Sequence, residues 1–294
     1  MASSDAELQY SSTPAFSKLE IYDTIDVGED CRTNIQKHYI EIICVFGQDK
    51  LAGIVRSEYQ RQIFCYENVS DVQKRCFKIG IDVEVHSLPA DSVALDGNRF
   101  AVSFPESSVI KVYNERLQED RDLNVDGKCY GMDFMNGKLA VCFQDPAKIC
   151  VLDMDTGFIH HIVNQPSGHQ LLTAPNYVAF DTDDGRDVLY VSDRASWGIR
   201  RLTKIDMNGN MLASFLSLSK DDTSRVVSVT DGGVLLVHDG IKLMSERCQQ
   251  VATLLDQKNT GPIVSVKYSK QQSLVFILTM FQKDFTRMDV FKLS

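Results

Sequence analysis

The chain has 294 residues, 44% of them hydrophobic, and a formal net charge of −9 at pH 7. This apolar content is sufficient for a buried core and excludes wholesale disorder. The negative charge has the wrong sign for a protein dedicated to nucleic acids or anionic membranes, because both are themselves negatively charged. A chain of this length forms either two domains or one large all-β domain.

The first residues predict a cytoplasmic protein. The opening MASSDAELQYSSTPAF has neither the basic region nor the apolar run of a secretory signal peptide. The longest apolar run, SLVFILTMF at 273–281, has the length of a strand, well short of the roughly 20 residues of a membrane span. We therefore expect a cytoplasmic location, with residues 1–17 forming a loose N-terminal segment.

Short apolar runs with period-2 alternation predict antiparallel strands from residue 18 onward. The first of these runs is KLEIYDTIDVG at 18–28. Six units of several such runs follow, and clusters of Gly, Asp, Asn and Ser between the runs favour hairpin turns. The units cover 38–86, 91–127, 129–165, 175–217, 225–257 and 262–294.

The second run of every unit aligns on one apolar position. The aligned residues are Leu51, Phe100, Leu139, Leu189, Leu235 and Val275. A repeat of about 40–50 residues with four strands is typical of a β-propeller blade. The sequence therefore predicts an all-β fold in which 18–294 form a single six-bladed β-propeller with four antiparallel strands per blade.

The number of strands predicts how the ring closes. The last unit has three runs before residue 294, whereas the run at 18–28 belongs to no unit. An unpaired sheet edge promotes aggregation. We therefore predict that 18–28 pairs with 287–294, so that the N-terminal strand completes the last blade.

The fourth unit resembles an NHL repeat, whose pattern is roughly P-x-G-I-A-V-D, then G-x-I-Y-V-A-D, then R-I-x-x-F-D-x-x-G. PNYVAFD at 175–181, VLYVSD at 188–193 and the run at 200–209 match these three parts. Tyr177 replaces the usual glycine, and RASW at 194–197 replaces the usual turn. The other units match mainly in their strand pattern.

The overall resemblance is to the divergent C-terminal propeller of tripartite-motif NHL proteins. It implies a non-catalytic recognition or scaffold module that binds a protein partner through one face, with single-stranded RNA as the alternative ligand. The sequence has no Cys/His zinc spacing and no heptad segment, so neither a RING, a B-box nor a coiled coil is indicated. We expect no cofactor, and neither DNA nor a membrane as a partner.

A basic and aromatic cluster in the same unit is the candidate binding surface. Its members, with Tyr177 added as a candidate, are Tyr177, Arg194, Trp197, Arg200, Arg201 and Lys204. Arginine beside an aromatic ring suits an acidic peptide or single-stranded RNA. Strand alternation sends Arg200 and Arg201 to opposite faces, so all six cannot serve one patch. A solvated hairpin rim is the alternative interpretation.

A metal-dependent lactonase or esterase of the gluconolactonase type is the enzymatic alternative. The fourth unit is similar to that family at Asn176 and Asp193, which would be metal ligands under this hypothesis. Tyr177 interrupts the family's Pro-Asn-Gly, and no Glu-Gly-Pro opens the first unit, so a cation would lack its glutamate. We therefore predict no metal. The structural interpretation is that Asp193, with Asp239 in the equivalent place, accepts backbone N–H groups from the following loop.

The eight cysteines lack any CxxC spacing. Most of them lie in or beside apolar runs, which predicts reduced, buried thiols in a cytoplasmic protein. Cys142 and Cys150 flank one predicted hairpin and are the one pair expected to be able to face each other.

Overall fold

The computed structural model describes residues 19–25, 39–47, 49–56, 61–69, 76–82, 88–157, 159–163, 171–218, 225–228, 233–256, 261–282 and 285–293. Within these ranges the chain forms 24 strands and one short 3₁₀ helix, Pro105–Ser107. Among the same residues, no helix has both the length and the apolar character needed to cross a membrane. The fold is therefore all-β, as predicted.

The first three sheets each contain four strands that are consecutive in the chain. Sheet 1 contains β2 (Tyr39–Phe46), β3 (Lys50–Arg56), β4 (Arg61–Glu67) and β5 (Cys76–Asp82). Sheet 2 contains β6 (Asp91–Leu95), β7 (Arg99–Phe104), β8 (Val109–Tyr113) and β9 (Glu119–Asn124). Sheet 3 contains β10 (Cys129–Met135), β11 (Lys138–Gln144), β12 (Ala147–Asp153) and β13 (Ile159–Val163).

Sheets 4 and 5 repeat this order, and sheet 6 departs from it. Sheet 4 contains β14 (Pro175–Asp183), β15 (Arg186–Ser196), β16 (Ile199–Asp206) and β17 (Met211–Leu218). Sheet 5 contains β18 (Arg225–Ser228), β19 (Val234–Val237), β20 (Gly240–Met244) and β21 (Gln250–Asp256). Sheet 6 contains β22 (Ile263–Ser269), β23 (Leu274–Gln282), β24 (Phe285–Leu293) and β1 (Leu19–Ile25).

The six sheets follow one another in a cyclic order. The first strand of each sheet packs against the first strand of the next, and β22 of sheet 6 packs against β2 of sheet 1. Apolar side chains fill the spaces between adjacent sheets: one cluster joins sheets 3 and 4, and another joins sheets 6 and 1. Among the described residues, six antiparallel sheets in this order are consistent with a β-propeller.

The predicted pairing of the two ends of the chain is observed. Strand β1 runs antiparallel to β24, with Leu19 opposite Leu293 and Ile25 opposite Met288. Residues 18 and 26–28 of the predicted segment lie outside the described ranges. The pairing supplies a partner for the outer edge of β24, which would otherwise present unpaired backbone groups.

The apolar repeat found in the sequence marks equivalent positions in the sheets. All six aligned residues lie in the second strand of their sheet, on β3, β7, β11, β15, β19 and β23, and each is fully buried. Truncating a buried leucine or phenylalanine to alanine typically costs about 2–5 kcal/mol. The repeat is therefore a packing requirement that recurs once per sheet.

Two hairpins show how turn residues set the register. Asn136–Gly137 connects β10 to β11, and Asp184–Gly185 connects β14 to β15, with two residues in each loop. All four residues have positive φ, between 48° and 76°. Asn, Asp and Gly tolerate this conformation, and such two-residue turns match the twist of the strands they join.

The prediction that Cys142 and Cys150 are able to face each other is wrong. Across β11 and β12, Cys142 is opposite Ile149 and Cys150 is opposite Val141. This offset of one residue places the two thiols on opposite faces of sheet 3, in different apolar clusters. Six cysteines, Cys44, Cys65, Cys129, Cys142, Cys150 and Cys248, are described as free and buried, as expected of small core residues.

Candidate functional site

The hairpin between β15 and β16 presents the most exposed aromatic residue among those described. Ser196 pairs with Ile199, so Trp197 and Gly198 form a two-residue loop. Gly198 has φ of 71°, a conformation that favours glycine. The Trp197 side chain is 100% exposed. The loop therefore holds a large apolar ring in solvent at the end of two long paired strands.

A groove of about 540 Å³ lies beside this loop, between the β15–β16 hairpin and the β11–β12 hairpin. We call it the Trp197 groove. Its polar and aromatic lining residues are Gln144, Asp145, Thr173, Arg194, Ser196 and Trp197. Arg194 has an exposed side chain, and its backbone N–H donates to the Ala174 carbonyl over 3.1 Å. The groove thus combines an exposed ring with both signs of charge.

Asp193 holds the segment at the base of the Trp197 groove. Its carboxylate accepts the backbone N–H groups of Thr173 and Ala174 over 3.0 and 2.6 Å. It also accepts a hydrogen bond from Nη2 of Arg201, and the same Nη2 donates to the Leu171 carbonyl. Asp193 is 1% exposed, so this network fixes residues 171–174 immediately before β14. Asp193 therefore has the structural role predicted for it, although it binds the loop before β14 and not the loop that follows its own strand.

Asp239 does not occupy a place equivalent to that of Asp193, contrary to the prediction. Asp239 lies in the turn between β19 and β20 with φ of 49°, and half of its side chain is exposed. Strand β19 ends at Val237, two residues earlier. The shorter strand moves the aspartate out of the ladder and into the turn.

The remaining basic residues of the predicted cluster are built into sheet 4. Arg200 and Lys204 are almost completely buried. The ammonium of Lys204 donates to Asp183 Oδ2 over 2.7 Å and lies 5.4 Å from the centre of the Tyr190 ring. Arg201 lies on the opposite face from Arg200, paired with Asp193. The structure therefore brings Arg194 and Trp197 together and separates Arg200, Arg201 and Lys204 from them.

Tyr177, the sixth predicted residue, lies in a different place. Its ring lines a cavity of about 560 Å³ between the first strands of the six sheets, which we call the axial cavity. The Arg225 guanidinium lies 4.5 Å from the centre of the Tyr177 ring. Gly131 permits this arrangement, because a Cβ there would lie 2.3 Å from the Asn176 carbonyl oxygen and 2.4 Å from the Tyr177 Cα.

Charged side chains of both signs line the axial cavity. The acidic ones are Asp91, Asp96 and Asp133, and the basic ones are Arg225, Lys267 and Lys270. Asp91 Oδ1 accepts Lys267 Nζ over 2.8 Å, and Asp91 Oδ2 accepts the Met132 N–H over 3.0 Å. These contacts link sheets 2, 3 and 6 through one carboxylate.

Asp133 makes the equivalent link between sheets 3 and 4. Its Oδ2 accepts the Phe180 N–H over 2.6 Å. Burial raises the pKa of Asp133 to about 6, although the Phe180 N–H and the charges of Lys267 and Lys270 act in the opposite direction. Asp133 is partly exposed, and it lies in the wall of the axial cavity.

The sequence did not identify the charged residues of the axial cavity as a group. Asp91 and Lys267 are 176 positions apart and meet only because the sheets form a ring. The available signal was a charged residue in an otherwise apolar first strand, as at Asp133 within CYGMDFM. That signal indicates an unusual environment and does not reveal its partner.

The two residues of the metal hypothesis are engaged in protein contacts. Asn176 Oδ1 accepts the Gln144 side-chain amide, and Asp193 has the three donors described above. Over the described ranges, no three His, Cys, Asp or Glu side chains come together as a metal site would require. The hydrolase alternative thus gains no support from these residues.

Comparison with known proteins gives a structural likeness without a family. No protein-family model matches the chain, and no curated protein matches it. Among solved structures, the chain is similar to one in a crystal structure of a nidogen/laminin complex, with a TM-score of 0.58 and 16% sequence identity. The match covers 74% of this chain and 81% of the other. At this identity the likeness supports a β-propeller fold.

Proposed function

We propose that the chain is a six-bladed, NHL-like β-propeller that acts as a non-catalytic recognition module for a protein partner. Each sheet is one blade, and β1 closes the ring through its pairing with β24. The cyclic packing of the first strands and the structural likeness support this fold. The similar solved structure comes from a complex of two proteins, which agrees with a protein-binding role for the fold.

The exposed Trp197 carries the functional proposal. Leaving a large apolar side chain fully in solvent forgoes the favourable free energy of its burial. Tryptophan and arginine are enriched among the residues that dominate protein–protein binding energy. Trp197 and Arg194 line the same groove, so a partner that covers this groove would bury the ring and contact the guanidinium together.

The groove has a rigid base, which favours binding. Asp193 fixes residues 171–174 through two backbone N–H groups and Arg201. A surface ordered before binding loses less conformational entropy when the partner arrives. The ion pair of Asp193 and Arg201 therefore serves recognition indirectly, by holding the groove in one shape.

A protein partner is favoured over single-stranded RNA because of where the cations lie. Arg201 and Lys204 are paired with carboxylates, and Arg200 and Lys204 are buried. Binding the phosphates of a single-stranded RNA requires several accessible cations along one groove. We also propose a cytoplasmic location, since the six described cysteines are free thiols.

The test is quantitative affinity capture from a cytosolic extract with three purified forms of the full chain. These are the wild type, Trp197→Ala and the control Met211→Ala, which truncates another exposed apolar side chain on β17. We expect a protein enriched by wild type and by Met211→Ala to be lost with Trp197→Ala. Direct binding of that purified protein is then measured by calorimetry. Identical capture by all three forms would refute the proposed surface.

A further inference from the structure

The axial cavity contains an arginine that has no carboxylate partner among the described residues. Arg225, the first residue of β18, lines the cavity with its guanidinium on the Tyr177 ring. Its Nε is buried and has no hydrogen-bond partner among the described residues. A buried donor without an acceptor costs free energy, and the cost is larger for a charged group. Of the two other basic groups of the cavity, Lys267 is bound to Asp91, and Lys270 is exposed to solvent.

Stacking on Tyr177 orients the Arg225 guanidinium but does not supply acceptors for its hydrogen bonds. A cation over an aromatic face is attracted to the ring, but its N–H groups lie in the guanidinium plane and receive no acceptor from the ring. A planar guanidinium can donate two parallel hydrogen bonds to a carboxylate or a phosphate, and the Nε–H of Arg225 is a donor that the described residues leave without an acceptor. Arg225 is thus positioned to bind an oxyanion.

The cavity has room for a ligand and an opening through which it can enter. Its volume of about 560 Å³ is within the 300–1,000 Å³ range typical of small-molecule sites. Exposed turn residues after the first strands form its rim, including Gly97, Asn98 and Lys270. Arg225 begins its strand and thus lies at the end of the first strands opposite this rim, where Lys270 adds a positive charge.

We propose that the axial cavity is a binding site for a small molecule that bears a carboxylate or a phosphate group, with Arg225 as the binding residue. The site shares no lining residue with the Trp197 groove. It is therefore separate in space from the surface proposed for the protein partner. Apolar lining residues such as Val93, Val178 and Val266 favour an organic acid or phosphate ester with an apolar body.

The first experiment measures thermal unfolding of the full chain with sodium benzoate, citrate or inorganic phosphate, against sodium chloride at equal ionic strength. A ligand that binds the native state raises the melting temperature by mass action. We expect a rise of about 2 °C or more at ten times the dissociation constant for at least one probe. A response to benzoate or citrate alone identifies an organic acid, and a response to phosphate alone identifies a phosphate ester.

Variants assign the effect to Arg225. Arg225→Gln is expected to abolish the rise, whereas Arg116→Gln, which removes an exposed arginine from the β8–β9 turn, is expected to retain it. Arg225→Lys keeps the charge but loses the paired N–H groups, so its affinity should fall at least about tenfold. A rise that persists in Arg225→Gln, or that chloride reproduces, would overturn the proposal.

A measurement on the wild type avoids dependence on the folding of the variants. The side-chain Nε–H resonance of Arg225 can be assigned by its loss in Arg225→Lys and followed during titration with the same probes. We expect this resonance to shift in a saturable way while those of exposed arginines do not. If only water occupies the cavity, no probe will shift the resonance. That result would also overturn the proposal.

Discussion

The Trp197 groove and the axial cavity are built in opposite ways. The exposed groups of the groove, Arg194 and Trp197, come from one hairpin, and Gln144 and Asp145 of the β11–β12 hairpin form its other wall. The cavity draws residues from the first strands of all six sheets. The groove presents a fully exposed ring, whereas the cavity contains a buried arginine Nε that has no partner among the described residues. Local sequence thus places Arg194 beside Trp197, whereas the charged residues of the cavity meet only through the cyclic packing of the sheets.

The largest effect is expected from breaking the base of the groove with Asp193→Ala. The substitution leaves Arg201 without its carboxylate and removes the acceptor of two backbone N–H groups. We expect the free energy of unfolding to fall by about 3–5 kcal/mol, measured by urea denaturation. The control Asp155→Ala removes an exposed carboxylate from the turn after β12 and should change stability by less than about 0.5 kcal/mol. Equal effects of the two would contradict the role of Asp193.

Trp197→Ala should separate binding from stability. The ring is fully exposed, so its loss is expected to change the free energy of unfolding by no more than about 0.5 kcal/mol. Affinity for the captured partner should fall at least about 30-fold, equivalent to about 2 kcal/mol. Calorimetry and urea denaturation on the same preparations give both values. Unchanged affinity would exclude Trp197 from the interface.

Gly131→Ala tests the close approach that places Tyr177 in the cavity. The added methyl group would meet the backbone of Asn176 and Tyr177, which cannot give way as a flexible side chain would. We expect a loss of stability of about 2 kcal/mol from overpacking. Gly137→Ala, where nothing lies within 4 Å of the added Cβ but φ is 76°, should cost about 1 kcal/mol from backbone strain alone. Denaturation of both variants distinguishes the two causes.

Asp133→Asn should have the smallest effect, and the effect should depend on pH. The folded pKa of about 6 is above the ordinary value of 3.8, so protonation favours the folded state. This contribution is complete below pH 3.8 and is lost as the pH rises through 6. The stability gain of Asp133→Asn over wild type should therefore grow from pH 4.5 to 7.5, reaching about 1–2 kcal/mol.

The control for this trend is Asp96→Asn, which alters an exposed carboxylate at the rim of the same cavity. Because this carboxylate is exposed, the substitution should change the free energy of unfolding by less than about 0.5 kcal/mol. A constant difference between Asp133→Asn and wild type would show that Asp133 has the same pKa in the folded and unfolded states.

The sequence predicted the all-β fold because one packing requirement recurs in every unit. Leu51, Leu139 and Leu235 hold equivalent buried positions, and the spare N-terminal strand implied its pairing with β24. The Cys142–Cys150 expectation failed because it needed the exact register of β11 and β12. A change of one residue reverses the face of a side chain, and turn composition alone does not fix it.

The candidate sites were predictable to different extents for the same physical reason. Arg194 and Trp197 were found together because a hairpin keeps neighbours in sequence close in space. The burial of Arg200 and Lys204 could not be predicted from the sequence. Alternation indicates on which face of a strand a side chain lies, but it does not indicate what covers that face. Arg225 gave no signal, because its significance depends on Tyr177, a residue 48 positions earlier in another sheet.

The pairing of β1 with β24 has a mechanical consequence. Leu19 lies opposite Leu293, so tension applied through these two positions would separate the strands one residue pair at a time instead of sliding them past each other. Unzipping of this kind resists much less force than shear, and it would begin at the junction that closes sheet 6. A load borne through Leu19 and Leu293 would thus detach β1 from β24 first, while the five sheets made of consecutive strands remained intact.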